Sequence, residues 1–149
     1  MANPDLTEDE LKRLQKPMRG AGVLEREAAR AAERTAEATA IKEAKAREGY
    51  RCRWPEEHTC RGLLEGAHLV DKSRGGENVR HNIWAVCAWL HRRGPESIHG
   101  KQLKVDAETE RGTDGPLSFW RQTGEYDALG QPIYYLVGRE DGRGGVVRD

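Results

Sequence analysis

The chain has 149 residues and a mass of 16.8 kDa, enough for one compact domain with a tail or small second lobe but not for two full domains. With 36% hydrophobic and 34% charged residues it has no large apolar core, and a small core needs a further source of stability, which points to metal. The formal net charge is zero, no apolar run reaches membrane-spanning length, and the opening MANPDLTEDE lacks the layout of a signal peptide, so a cytoplasmic protein with no membrane partner is expected.

In chain order, Thr7, Glu8, Asp9 and Glu10 followed by Leu11 and Leu14 predict a short capped helix, ended by Pro17 and by Gly20 and Gly22. From 23 to 48 the sequence is rich in Ala, Glu, Lys and Arg without Gly or Pro, which predicts one long helix. Its apolar face is mostly alanine and buries little area, so a solvated helix is expected, packed loosely on the domain or pairing with another chain in a homodimer. Gly49 opens a stretch of aromatic, Cys, His and Gly residues that lasts to Lys104. Residues 105–116 read as a loop, and 118–123 and 132–138 as two strands of a hairpin. The final segment GREDGRGGVVRD reads as a frayed tail. This divides the chain into a helical extension (1–48), a middle domain (49–104) and a C-terminal hairpin with its tail (105–149), an α+β class overall. In the hairpin Phe119, Trp120, Tyr134 and Tyr135 are expected to cover the core rather than to stack on bases.

Charge is uneven along these pieces. The middle holds ten basic residues against six acidic ones, a surplus of four, while the C-terminal part holds five against nine. A basic middle between neutral and acidic flanks suits an anionic partner such as a phosphate backbone. Three cysteines, an odd number, fit thiols or metal ligands in a reducing compartment better than disulfides.

The chemistry concentrates in residues 60–99, CRGLLEGAHLVDKSRGGENVRHNIWAVCAWLHRRGPESIH. A strand at 66–70, a Gly-containing loop, a strand at 83–86 and a helix starting near Cys87 would set His68, Asn82 and His91 around one concave spot. With His68, the Ser73-Arg74-Gly75-Gly76 loop, Asn82, and His91 after Cys87, spaced 14 and then 9 residues apart, the stretch resembles the HNH nuclease family in its Cys-containing branch. That family occurs in phage endonucleases, restriction enzymes and bacterial toxin nucleases, and the match spans roughly Tyr50 to Lys104.

The resemblance implies a ββα-metal fold and metal-dependent hydrolysis of DNA phosphodiesters. His68 would be the general base, taking the proton from the attacking water. Asn82 would orient the loop bearing His68 or place an amide oxygen near the metal. His91 would bind a catalytic Mg²⁺ or Mn²⁺. Lys72, Arg74, Arg92, Arg93, Lys101 and Lys104 would contact phosphates. Two departures stand out. Where the family often has a second metal ligand before the base, this chain has Ala67, so Glu65, His81 or His99 would have to substitute, or the ion would rely on water and substrate phosphate. The paired Cys-x-x-Cys knuckles are replaced by Cys52 and Cys60, eight positions apart, and by Cys87 with Leu90 in place of its partner. Three thiolates need a fourth ligand to close a structural zinc site, and His58 is the choice, with His91 the alternative. The rival reading is a zinc-stabilised DNA-binding or packaging-accessory module that keeps the scaffold without cutting.

Overall fold

The computed structural model describes residues 7–9, 20–141 and 146–147. The expected first helix falls almost wholly outside them; Glu8 and Asp9 are helical. By contacts the chain separates into two units, Met1–Arg34 and Thr35–Asp149. In the first, residues 24–34 are exposed helix, as an Ala-, Glu- and Arg-rich sequence with strong helix propensity allows.

The architecture is α+β, one long helix and two small antiparallel sheets. Helix α1 runs over Ala21–Arg47, within a residue or two of its predicted limits. Strands β1 (Leu64–His68) and β2 (Ile83–Cys87) form the first sheet, with Ala67 opposite Trp84 and His68 opposite Ile83. The second sheet orders β3 (Leu103–Ala107), β4 (Leu117–Tyr126), β5 (Pro132–Glu140) and β6 (Val146–Val147).

Two expectations are corrected here. Strand β3 begins the segment read as a loop and crosses the limit placed at Lys104, so the predicted hairpin is part of a four-stranded sheet. The helix expected near Cys87 is a single π-helical turn, Trp89–Arg93, which gives way to extended backbone at Gly94, the residue before Pro95.

Every residue of β2 is buried because the strand is covered on both faces. On one face lie Ala40, Ala44 and Ile41 of α1 against Ile83. Gly66 permits this approach, since a Cβ there would stand 2.7 Å from Ile41 Cγ1 and 2.9 Å from Ile83 Cγ2. The C-terminal part of α1 is therefore firmly packed, although loose packing was expected of an alanine face; small side chains let the backbones come close. On the other face Trp84 and Val86 join Trp54, Ala67, Leu90, Leu103, Leu117 and Phe119 in the main core. Phe119 meets Trp54 and Trp84 edge to face at centroid distances of 5.5 and 6.0 Å. Of the four hairpin aromatics only Phe119 is fully buried, while Tyr135 is exposed.

An ion-pair network ties α1 to both sheets. Glu48 Oε2 accepts the Ala85 amide at 2.6 Å, and its Oε1 takes Arg47 and Arg53 at 2.6 and 2.8 Å. Arg53 also donates to Glu140 and to the carbonyls of Thr113 and Gly115. Arg53 and Arg80 were counted toward the basic surplus, yet here they neutralise carboxylates, Arg80 on Asp114. The net field over the middle region is weaker than the sequence count implies.

Candidate functional site

The first cluster is a group of potential metal ligands. Sγ of Cys52, Cys60 and Cys87 and a ring nitrogen of His58 all lie within 4.8 Å of one another. His58 Nε2 is 3.2 Å from Cys60 Sγ and 3.8 Å from Cys87 Sγ. Tetrahedral zinc with Zn–S near 2.3 Å separates its ligands by about 3.3–3.8 Å, so the set closes round such an ion with small adjustments. His58 Nδ1 lies 2.7 Å from the Glu56 carbonyl, which can only accept, so Nδ1 carries the proton and Nε2 presents its lone pair to the thiols. The Cys87 amide donates to Cys52 Sγ at 3.4 Å, and Arg53 N to Ala85 O fixes the approach of the first knuckle to β2. Burial pushes the Cys52 thiol up to about 12, against the lowering effect of the Cys87 and Trp54 amides, and burial likewise raises Cys60. Three adjacent thiolates are disfavoured unless a cation compensates them, and a divalent ion at their centre would do so. The residues present therefore fit zinc, with His58 rather than His91 as the fourth ligand.

The second cluster surrounds a cleft of about 880 Å³ between the β1–β2 sheet and β3–β5. His68 and His99 both line it, with Arg74, Lys101, Lys104 and Tyr134. Asn82 is buried beneath the loop that follows His68. Its Oδ1 accepts the Val70 amide at 2.9 Å, and its Nδ2 donates to the carbonyls of Val70 and Glu77, both at 3.0 Å. Of the two roles implied for Asn82, this geometry is the loop-orienting one. The Gly75-Gly76 pair suits the turn, since Gly75 has φ +86° and a Cβ on Gly76 would overlap the Val70 carbonyl. His68 Nε2 lies 2.9 Å from Asn78 Oδ1, a partner that sequence reasoning missed.

His91, on the π-helical turn, faces His99. Their Nε2 atoms are 3.0 Å apart and their rings nearly perpendicular, at 88°. The His99 amide donates to the His91 carbonyl, and Tyr134 Oη donates to the Lys101 carbonyl at 2.7 Å, bracing the loop that carries His99. His91 Nδ1 is 3.1 Å from Glu65 Oε1. Arg92 holds the same carboxylate through both its oxygens, and these hydrogen bonds depress Glu65 to about 2, burial opposing and His91 assisting. Burial lowers the His91 pKa, with Glu65 opposing. An ionised Glu65 thus fixes the ring with a proton on Nδ1 and leaves Nε2 open toward His99. At 3.0 Å the two nitrogens are at hydrogen-bond distance, His99 Nε2–H donating to the His91 lone pair, and His99 would have to give up that proton for the pair to hold a cation. Among the described residues no third thiol, imidazole or carboxylate completes this pair into a cluster.

Of the three substitutes for Ala67, Glu65 is thus taken up by Arg92 and His91, and His81 lines a separate pocket with Arg47, Arg80 and Asp114. His99 alone stands beside His91. Of the six expected phosphate contacts, Arg74, Lys101 and Lys104 line the cleft, but so do Asp71 and Asp106, with Lys104 3.1 Å from Asp106 and Arg74 3.9 Å from Asp71, so Lys101 alone of the three has no carboxylate partner in that lining. Arg92 is committed to Glu65, Lys72 pairs with Glu37 at 2.6 Å, and Arg93 is exposed outside the cleft lining. Comparisons with protein-family models, curated proteins and solved structures give no match. Among the described residues no helix is long and apolar enough to cross a membrane.

Proposed function

We propose that the chain is a metal-dependent HNH-type endonuclease that hydrolyses DNA phosphodiester bonds, with zinc in the Cys52, His58, Cys60 and Cys87 cluster as a structural ion. The observation that carries the reading is the meeting of His68 and His99 on one cleft, His99 in turn touching His91, with Asn82 bracing the loop beside the base. The order of β1, loop, β2 and the turn bearing His91 supports this reading in sequence order alone, since a ββα-metal unit would carry a helix where this chain has a single π-helical turn.

In this reading the phosphodiester lies along the cleft, its phosphates held by Arg74, Lys101 and Lys104. His68 takes a proton from the attacking water as the new P–O bond forms and the bond to the leaving 3′ oxygen breaks, that oxygen gaining a proton from solvent. A divalent cation on His91 and His99 would supply Lewis-acid stabilisation of the phosphate and leaving oxygen. Paired imidazoles alone favour borderline transition ions, so Mg²⁺ or Mn²⁺ would depend on water and phosphate oxygens for the remaining positions.

The non-cutting DNA-binding or packaging-accessory module keeps one observation in its favour. Ala67 is buried in the main core, so the cleft lacks the second ligand usual in the family. Supercoiled plasmid incubated with the protein and Mg²⁺, Mn²⁺ or EDTA separates the two. Cleavage that EDTA stops, and that His68→Ala reduces by ~10²–10⁴-fold with fold and zinc content retained, is expected. Equal cutting by His68→Ala would overturn the site, and binding without cutting in every metal would favour the accessory module.

A further inference from the structure

The contact between His68 and Asn78 defines which ring nitrogen is available for chemistry. His68 sits at the end of β1, and its Nε2 lies 2.9 Å from Asn78 Oδ1. An amide oxygen can only accept, so Nε2 must carry the hydrogen. In a neutral imidazole the other nitrogen, Nδ1, then holds the lone pair. Nδ1 has no protein partner among the described residues, and the ring lines the open cleft.

Asn78 is itself held in place. The Glu77 carbonyl, one residue earlier, accepts Asn82 Nδ2 at 3.0 Å, while the other end of the loop is tied down by the two bonds between Asn82 and Val70. The Val79 carbonyl, one residue later, accepts the Asn82 amide at 3.0 Å. Asn82 therefore brackets Asn78 from both sides in sequence, and Asn78 passes that rigidity to the ring.

We propose that Asn78 is a positioning residue that fixes His68 in the Nε2–H tautomer and aims the basic Nδ1 into the cleft, with Asn82 acting on His68 through Asn78. The catalytic meaning of this arrangement rests on the nuclease reading; the tautomer itself does not. During hydrolysis the water proton would move to Nδ1, and the resulting imidazolium would keep its Nε2–H bond to Asn78 Oδ1, which strengthens as the ring becomes charged.

The test is long-range ¹H–¹⁵N spectroscopy of the full chain, without substrate, at a pH where the imidazoles are neutral. The His68 ring signals are assigned by their loss in His68→Gln. Wild type should show a protonated Nε2 and an unprotonated Nδ1. Asn78→Ala should shift the ring toward a mixture of tautomers, and Asn78→Asp, which keeps an acceptor oxygen at the same reach, should restore the Nε2–H form. A protonated Nδ1 in wild type, or identical His68 spectra in wild type and Asn78→Ala, would overturn the proposal. In plasmid cleavage, Asn78→Ala should lose roughly 10–100-fold, the range typical when a partner orienting a functional imidazole is removed, and Asn78→Asp should recover part of it. A wild type that cuts nothing while showing the Nε2–H tautomer would count against the nuclease reading and leave the positioning role of Asn78 standing.

Discussion

The two histidine-bearing clusters differ in closure. Around Cys52, His58, Cys60 and Cys87 the protein offers four ligand atoms within 4.8 Å, a complete tetrahedral set. Around His91 and His99 it offers two nitrogens 3.0 Å apart, beside a cleft of about 880 Å³ whose lining holds Arg74, Lys101 and Lys104 together with Asp71 and Asp106. A closed shell suits an ion that holds a fold, whereas an open one leaves positions for water and a substrate oxygen. On the proposed reading, one chain of 149 residues separates stabilisation from reactivity, and the separation can be broken experimentally.

The largest effect is expected from the closed cluster. Cys87→Ser should remove zinc and unfold the domain or strongly lower its Tm, because a structural zinc site contributes on the order of 10 kcal/mol of binding free energy to the folded state. Elemental analysis and thermal melts with and without EDTA measure this, and well-folded wild type without zinc would remove the distinction between the clusters. His99→Ala should instead leave Tm and zinc content nearly unchanged while weakening the second ion, so that any cleavage needs more Mn²⁺. Metal titrations of activity and of binding read this out.

Smaller still is the effect on DNA affinity. With Arg74, Lys101 and Lys104 as the cleft cations, the slope of log K against log salt should correspond to about three released counterions, and Lys104→Ala should reduce it by about one. A slope near six would return Lys72, Arg92 and Arg93 to the interface. The smallest expected change lies outside both clusters and gives a baseline. Burial acts to raise the Asp114 pKa, but hydrogen bonds from Arg80 and Arg47 outweigh it and hold the carboxyl below its ordinary 3.8. Its stabilising contribution is therefore full above the unfolded-state value and lost as pH falls through the depressed one. Asp114→Asn should cost about 1–2 kcal/mol at neutral pH, with the gap from wild type closing in acid and zinc content unaffected; urea melts at several pH values follow it.

Sequence chemistry was most legible where local composition decides structure. A run without Gly or Pro placed α1 within two residues, and the three cysteines suggested metal ligands by type, with the family resemblance pointing to a structural zinc site and to His58 or His91 as its fourth member. Strand β3 carried a readable signal, with Leu103, Val105 and Ala107 alternating with Lys104 and Asp106, masked by the polar stretch behind it. Gly94 and Pro95 likewise foretold an early stop for the turn bearing His91. The pairing of His68 with Asn78, the capture of Arg92 by Glu65 and the Arg53 network had no such signal. Each depends on which side chains long-range folding brings together, and periodicity is silent on that.

The Arg53 network also bears on how the chain reaches its native state. Its guanidinium joins Glu48, five residues back, to Glu140, 87 residues ahead. Closing a loop of that length costs chain entropy, and contacts between residues so distant in sequence slow folding. Folding of this molecule should accordingly be governed by remote closure rather than by the rapid winding of α1, with a rate in the slow range of sheet-rich proteins.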